Sequence, residues 1–159
     1  MAATPLTATE LLERVDDGWR RFREAARHVG RAGMSGQTSG GWTFHDLFAH
    51  IAGWHDLTAR RLAVLRATGR FPGPGDEGAV GIPAIANADV LNARLVSSHR
   101  LVGPEALIDE LDTTFRSVRS ELVQLSDAQL HADDGRVMAV VAGNTSGHYQ
   151  EHAAELCSR

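Results

Sequence analysis

The residues best suited to chemistry are His148 and His152, four apart in the run Gly147-His148-Tyr149-Gln150-Glu151-His152. On a helix that spacing points two imidazoles the same way. Two ligands hold a divalent metal weakly, and the third candidate lies far earlier: His50, in Asp46-Leu47-Phe48-Ala49-His50-Ile51-Ala52-Gly53-Trp54. Three histidines would leave open positions on an ion, as catalytic rather than structural sites do. A water, thiol or carbonyl bound there is activated. Imidazole suits zinc, nickel, iron or copper, and zinc is the first expectation. Taken singly, a histidine on an apolar face is more often a hydrogen-bonded core residue than a ligand. Several buried together without a cation would leave lone pairs and N–H groups to satisfy.

Side chains beside these histidines are the candidates for handling a substrate. Tyr149 follows His148, and a phenol near a metal donates a proton or holds an oxyanion, which makes Tyr149 the catalytic candidate. Trp54 and Thr145 are the substrate-binding candidates, with core packing as the plain alternative for Trp54. Asp46, one turn before His50, either orients that ring or caps its helix. His55 flanks an apolar stripe and would line a pocket, whereas His45, His99 and His131 read as surface residues. Cys157 is almost terminal and has no evident activating partner. No Gly-rich phosphate loop and no Gly-x-Ser-x-Gly elbow occurs in the sequence.

Helices must position these residues. Thr7-Ala8-Thr9-Glu10 is a capping-box pattern, followed by apolar residues at helical spacing from Leu11 to Val29 and closed by Gly30. Thr43-Phe44-His45-Asp46 opens a second helix that runs to about Gly69, with Leu47, Ile51, Trp54, Thr58, Leu62 and Leu65 as its core stripe. Pro72, Gly73, Pro74, Gly75, Gly78, Gly81 and Pro83 then forbid a continuous helix, and a long ordered loop is expected over one bundle end. Helical pattern returns from Asp89, breaks at Gly103-Pro104, and resumes through Leu107 to Leu125. A last helix spans about Val137 to Leu156, with Val141, Thr145, His148, His152 and Leu156 on one stripe. Gly143 and Gly147 beside that stripe are expected to let a neighbouring helix approach. The fold class is all-α: a four-helix bundle, roughly up-down-up-down, with one long Pro/Gly-rich crossover loop.

At 159 residues the chain is expected to be one domain, 1–159. Its 16 basic residues are all arginine and its 20 acidic residues leave a formal charge of −4. No broad positive field follows, so no nucleic-acid partner is expected. The single cysteine fits a reducing compartment, and no signal peptide or apolar run of membrane-spanning length is evident, so the expectation is a cytoplasmic protein without a membrane partner. A homodimer through exposed apolar parts of the first or third helix is a further expectation.

Two blocks, Trp42-Thr43-Phe44-His45-Asp46-Leu47-Phe48-Ala49-His50-Ile51-Ala52-Gly53-Trp54 and Gly143-Asn144-Thr145-Ser146-Gly147-His148-Tyr149-Gln150-Glu151-His152, resemble the DinB/YfiT-like superfamily. That superfamily includes the metal-binding domain of mycothiol-dependent maleylpyruvate isomerases, the bacillithiol transferases and the colibactin self-resistance (ClbS/DfsB-like) proteins. The resemblance implies a bundle with three metal-ligating histidines, one on the second helix and an H-x-x-x-H pair on the last, and His50, His148 and His152 match all three. It implies activation of a low-molecular-weight thiol for transfer to an electrophilic small molecule. An arginine-only, Ala- and Gly-rich chain looks like a high-G+C genome and favours mycothiol as that thiol. Maleylpyruvate isomerisation itself is not expected, because no second domain of the kind found in the isomerases is visible. The Asn144-Thr145 and Tyr149 pattern and Asn87-Ala88 also look like the self-resistance branch, whose members open reactive natural products. A non-catalytic ligand-binding or stress-related bundle is the remaining alternative.

Overall fold

The computed structural model describes residues 5–73 and 87–157. Helix α1, Ala8–Val29, starts at Thr7, whose hydroxyl accepts the Glu10 amide N–H at 3.2 Å while the Glu10 carboxylate accepts the Thr7 N–H at 2.8 Å. Gly30, with φ 61°, ends it. Helix α2, Phe44–Thr68, repeats the device with Thr43 and Asp46 and ends at Gly69 in the left-handed conformation (φ 73°, ψ 4°). Asp46 is therefore a cap. Helix α3, Ala88–Ser98, is capped by Asn87, and α4, Pro104–Leu122, carries its proline in the first turn. The short α5, Asp127–Leu130, and a 3₁₀ turn at Asp133–Gly135 lead into the last helix.

Ion pairs and hydrogen bonds give the directions. Asp16, Arg23 and Arg31 of the first helix and its end pair with Arg119, Asp112 and Glu105, so α1 and α4 run antiparallel. His45, His55 and Arg66 meet Val102, Thr114 and Glu121 in rising order, so α2 and α4 run parallel. Thr58, His55 and His50 meet Asn144, Tyr149 and His148, so the last helix runs antiparallel to α2. The expected alternation of direction thus holds from α1 to α2 and from α4 to the last helix. Across the crossover it does not, because the chain between Gly69 and Gly103 returns to the end of the bundle where α2 begins. Most of the expected Pro/Gly loop, residues 74–86, lies outside the described residues.

Helix α2 is the central element. Beyond its expected stripe it buries Phe48, Ala49 and Ala52 in the main core, and Gly53 and Leu57 where α3 covers the face that a plain bundle would leave wet. Leu91 of α3 packs on Leu57, with Trp54 and Leu95 alongside. A Cβ on Gly53 would lie 2.5 Å from a Leu95 methyl, so α3 seats itself through that glycine. The main core joins α1, α2, α4 and the last helix through Phe22, Phe48, Leu62, Leu107, Leu111 and Tyr149, among others.

The last helix is not uniform. Helix α6, Arg136–Ala142, passes through a π turn at Gly143–Gly147 into α7, His148–Cys157, with helical dihedrals on both sides of the turn. Such a turn holds one extra residue and recurs at functional sites. Thr145 donates to the Val141 carbonyl at 2.6 Å, and the Asn144 amide donates to Thr58 at 3.1 Å, which ties the turn to α2. Gly143 has open space beside it, and Gly147 faces only the Ala142 carbonyl across the turn. The expected helix approach occurs instead at Gly18 of α1, where a Cβ would lie 3.3 Å from the Tyr149 ring.

Candidate metal centre

His50 is held by the buried second and third turns of α2, and His148 and His152 by successive turns of α7 directly after the π turn. All three side chains are buried, and one ligand atom from each lies within 4.8 Å of the others. Nε2 of His50 and Nε2 of His148 are 2.7 Å apart. The ring planes meet at 77°, 85° and 60°, so edges rather than faces converge.

Burial, reinforced by the neighbouring His152, pulls the pKa of His50 down to about 3. Burial and the two facing histidines do the same to His148, also to about 3. Both rings are therefore neutral at pH 7, with the lone pairs that a metal requires. The Nδ1 atoms of His50, His148 and His152 are buried without a hydrogen-bond partner, and the nearest acid, Glu155, stands 3.5 Å from His152 Nδ1 outside bonding geometry. Leaving such groups unsatisfied costs about 1–3 kcal/mol each. A cation fits this donor set: tetrahedral Zn–N bonds of about 2.0–2.1 Å place ligand atoms about 3.3 Å apart, between the 2.7 Å of the His50–His148 pair and the 4.8 Å that bounds the set. Three nitrogen donors leave at least one position for an incoming ligand.

Two indoles flank the histidines. The Trp42 ring centroid is 4.8 Å and that of Trp54 6.4 Å from the His50 ring. Trp54 donates its indole N–H to Asn92 of α3 at 2.9 Å. Trp42 and Asn92 also line a groove of about 430 Å³ with Asp89, Val96, Ser97 and Arg100, and none of the three histidines lines it. A larger groove of about 620 Å³ runs between α1 and the π turn, past Arg14, Arg21, Ser146 and Gln150. None of the three histidines lines it. Sequence reasoning missed Asn92, which sits four residues into an exposed-looking helix and becomes part of the site only because α3 docks on α2.

Tyr149 and Thr145 are placed differently from expectation. The Tyr149 hydroxyl lies 2.7 Å from Nε2 of His55, and its ring packs among Trp19, Phe22 and Phe115. Burial pushes its pKa well above the usual phenol range and pulls His55 down to about 3, aided by His148, so both stay uncharged. His55 Nδ1 in turn faces Thr114 Oγ1 at 3.2 Å, and Thr114 donates to the Leu111 carbonyl. Only one polarity satisfies every member of that chain: tyrosine donates to His55, and His55 donates to Thr114. The phenol proton is thus committed to the core rather than to the three-histidine cluster. The Thr145 hydroxyl, fully buried, is committed to Val141. Trp54 remains half-buried beside His50.

Three further histidines have local partners. His45 bonds the Val102 carbonyl at 2.8 Å, His131 the Leu6 carbonyl at 2.7 Å, and His99 the Leu95 carbonyl and the Glu110 carboxylate. Each is partly buried rather than fully exposed, and each joins two segments of chain.

No curated protein matches the sequence. Solved structures share the fold. An uncharacterised protein from Escherichia coli UTI89 aligns with a TM-score of 0.74 at 21% identity, covering 96% of this chain and 92% of that one. The colibactin self-resistance protein ClbS, in complex with a dsDNA, aligns with a TM-score of 0.77 at 14% identity, covering 97% and 95%. That complex corrects the expectation of no nucleic-acid partner. A net charge is a sum over the whole chain and does not report where arginines gather, so −4 does not exclude a duplex for this fold. Among the described residues no helix is long and apolar enough to cross a membrane. The family model of the DinB superfamily matches residues 2–155, and the chain belongs to that superfamily.

Proposed function

We propose that this protein is a divalent-metal-dependent enzyme that activates a low-molecular-weight thiol of the mycothiol type for transfer to an electrophilic small molecule in the cytoplasm. The observation that carries the reading is the buried cluster of His50, His148 and His152, with its converging donor atoms and unpartnered ring nitrogens. Zinc is the first choice, and nickel or iron suit the same nitrogen donors. When bound, the ion would supply Lewis acidity that lowers the pKa of a thiol at an open position.

The chain's own residues do the rest. His50 and His148 remain neutral and so reserve their lone pairs for the ion, and His152 completes the donor set. Trp42 and Trp54 exclude water from the α3 side of the cluster and offer flat apolar walls to an electrophile. In the transfer a C–S bond forms at the electrophilic carbon, the leaving group departs with its electron pair, and the thiol proton passes to solvent. Tyr149 is not needed as the acid, and we assign it to orienting α7 through His55.

The test is turnover by untagged, metal-loaded protein with a mycothiol-type thiol and a panel of electrophiles, followed as thiol consumption. Metal-dependent consumption that H148A abolishes is expected. A folded, metal-loaded protein that consumes no thiol with any of them contradicts the thiol chemistry.

A second reading is a self-resistance protein that hydrolyses or sequesters a reactive natural product. The shared fold with ClbS over 97% of the chain supports it. Disappearance of a DNA-reactive electrophile without any thiol, together with protection of duplex DNA from alkylation, would favour it over thiol transfer.

A further inference from the structure

We propose that the groove between α1 and the π turn is a second binding site, one that takes an amphipathic organic anion: a carboxylate or phosphate ester whose oxygens meet Arg14 and Arg21 and whose apolar body lies along the floor. The three histidines stand outside this groove, so the inference is independent of the metal reading. At about 620 Å³ it has the size of a small-molecule site.

Its charge comes from α1. Arg14 and Arg21 lie two helical turns apart, which puts both side chains on one face, about 10 Å from each other along the axis. Both are exposed, and neither has a hydrogen-bond or ion-pair partner among the described residues, whereas Arg20, Arg23 and Arg31 each hold a carboxylate. The one acid in the lining, Asp17, is taken by Arg20 at 2.7 Å, and Glu10, a turn before Arg14, is taken by the Thr7 cap. Facing α1, Ser146 and Gln150 add uncharged donors. A concave wall with two uncommitted guanidinium groups collects oxyanions, even in a chain of net charge −4.

Its shape comes from side chains that are small or missing. Ala142, Ala153 and Tyr149 supply the apolar lining, and three glycines interrupt it. The fold accounts for two of them. A Cβ on Gly18 would lie 3.3 Å from the Tyr149 ring, and one on Gly147 would lie 3.2 Å from the Ala142 carbonyl. Gly143 has ordinary helical dihedrals (φ −62°, ψ −42°) and nothing within 4 Å of where a Cβ would stand. Neither backbone nor packing calls for glycine there, although glycine inside a helix costs stability relative to alanine. The space it keeps open belongs to the groove.

Amide NMR titration of the full-length protein with naphthoate, naphthyl phosphate and uncharged naphthol tests this. At least one of the two anions is expected to bind with a dissociation constant below about 1 mM and to shift the amides of Gly18, Gly143 and Gly147, with naphthol at least about tenfold weaker. R14Q and R21Q are each expected to weaken the anion about tenfold, the loss of one charge-assisted hydrogen bond. G143L places bulk in the groove where the fold has room, and is expected to abolish binding while Tm holds or rises. Thermal unfolding checks the fold of each variant, and the two arginine variants carry the test if G143L does not fold. Naphthol bound as tightly as the anions, folded R14Q and R21Q at parent affinity, shifts confined to other surfaces, or no binding of either anion would each overturn the site. Binding of a short DNA duplex that depends on Arg14 and Arg21, when neither small anion binds, would overturn it too and give the two arginines to nucleic-acid phosphates.

Discussion

Nε2 of His50 and Nε2 of His148 face each other at 2.7 Å across the contact between α2 and α7, the two helices that the bundle brings together in opposite directions. Nothing else among the described residues gathers three buried groups able to bind a metal. Since neither ring is protonated at neutral pH, a cation is the economical way to satisfy their facing edges.

Metal binding should stabilise the fold. At an ion concentration 100-fold above its dissociation constant the gain is about 2.7 kcal/mol, which for a chain of this size raises Tm by about 5–11 °C. Calorimetry of metal-free and zinc-supplemented protein checks this. H152A should retain a cooperative transition and show little or no zinc-dependent rise, whereas a full rise in H152A would place the ion elsewhere.

Y149F should lose stability and keep the metal. The substitution leaves Nε2 of a fully buried His55 without a donor, at a cost of about 1–3 kcal/mol in urea unfolding, while zinc affinity stays within about twofold. Unchanged stability with abolished turnover would instead return Tyr149 to the role of acid.

The seat of α3 should respond to a single methyl group. G53A places a Cβ 2.5 Å from Leu95 and should destabilise by about 1–3 kcal/mol. In the double variant G53A/L95A most of the packing penalty should be relieved, so the two substitutions should couple strongly in a double-mutant cycle. Additive effects would mean that Leu95 does not sit over Gly53 in solution.

Stability of the metal-free protein should depend on pH in two opposite senses. Burial holds His50, His55 and His148 down to about 3, so below 6.5 the unfolded chain binds more protons and stability falls as pH drops from 6.5 toward 3. His99 behaves in reverse. Burial would lower its pKa, but its bonds to Glu110 and to the Leu95 carbonyl, with the Glu110 charge, outweigh that and raise it. Its contribution is complete below 6.5 and is lost as pH rises through the raised folded value. Urea midpoints measured from about pH 4 to about pH 9 should show both arms, and E110Q should flatten the alkaline arm only. An acid arm that E110Q also removes would contradict the assignment.

Local chemistry was legible in the sequence, and docking was not. Thr7 with Glu10, Thr43 with Asp46, Gly30 and Gly69 announce helix ends because capping involves residues three or four apart. The alignment of His148 with His152 is legible for the same reason. By contrast, the parallel run of α2 and α4 depends on a crossover with no local signature, and the π turn appears in the sequence only as glycines and hydroxyl residues inside a helical run. Adjacency of Tyr149 to His148 in sequence says nothing of which buried acceptor its hydroxyl reaches. Here that acceptor is His55, contributed by another helix.

The most direct measurement is elemental analysis of untagged protein, purified without chelators and dialysed against zinc, beside H50A, H148A and H152A. We expect about one tightly held ion per chain in the parent and close to none in each folded variant, in line with a single three-histidine site. A folded parent that holds no ion after supplementation with zinc, nickel or iron, or variants that hold as much as the parent, would contradict the metal centre at His50, His148 and His152.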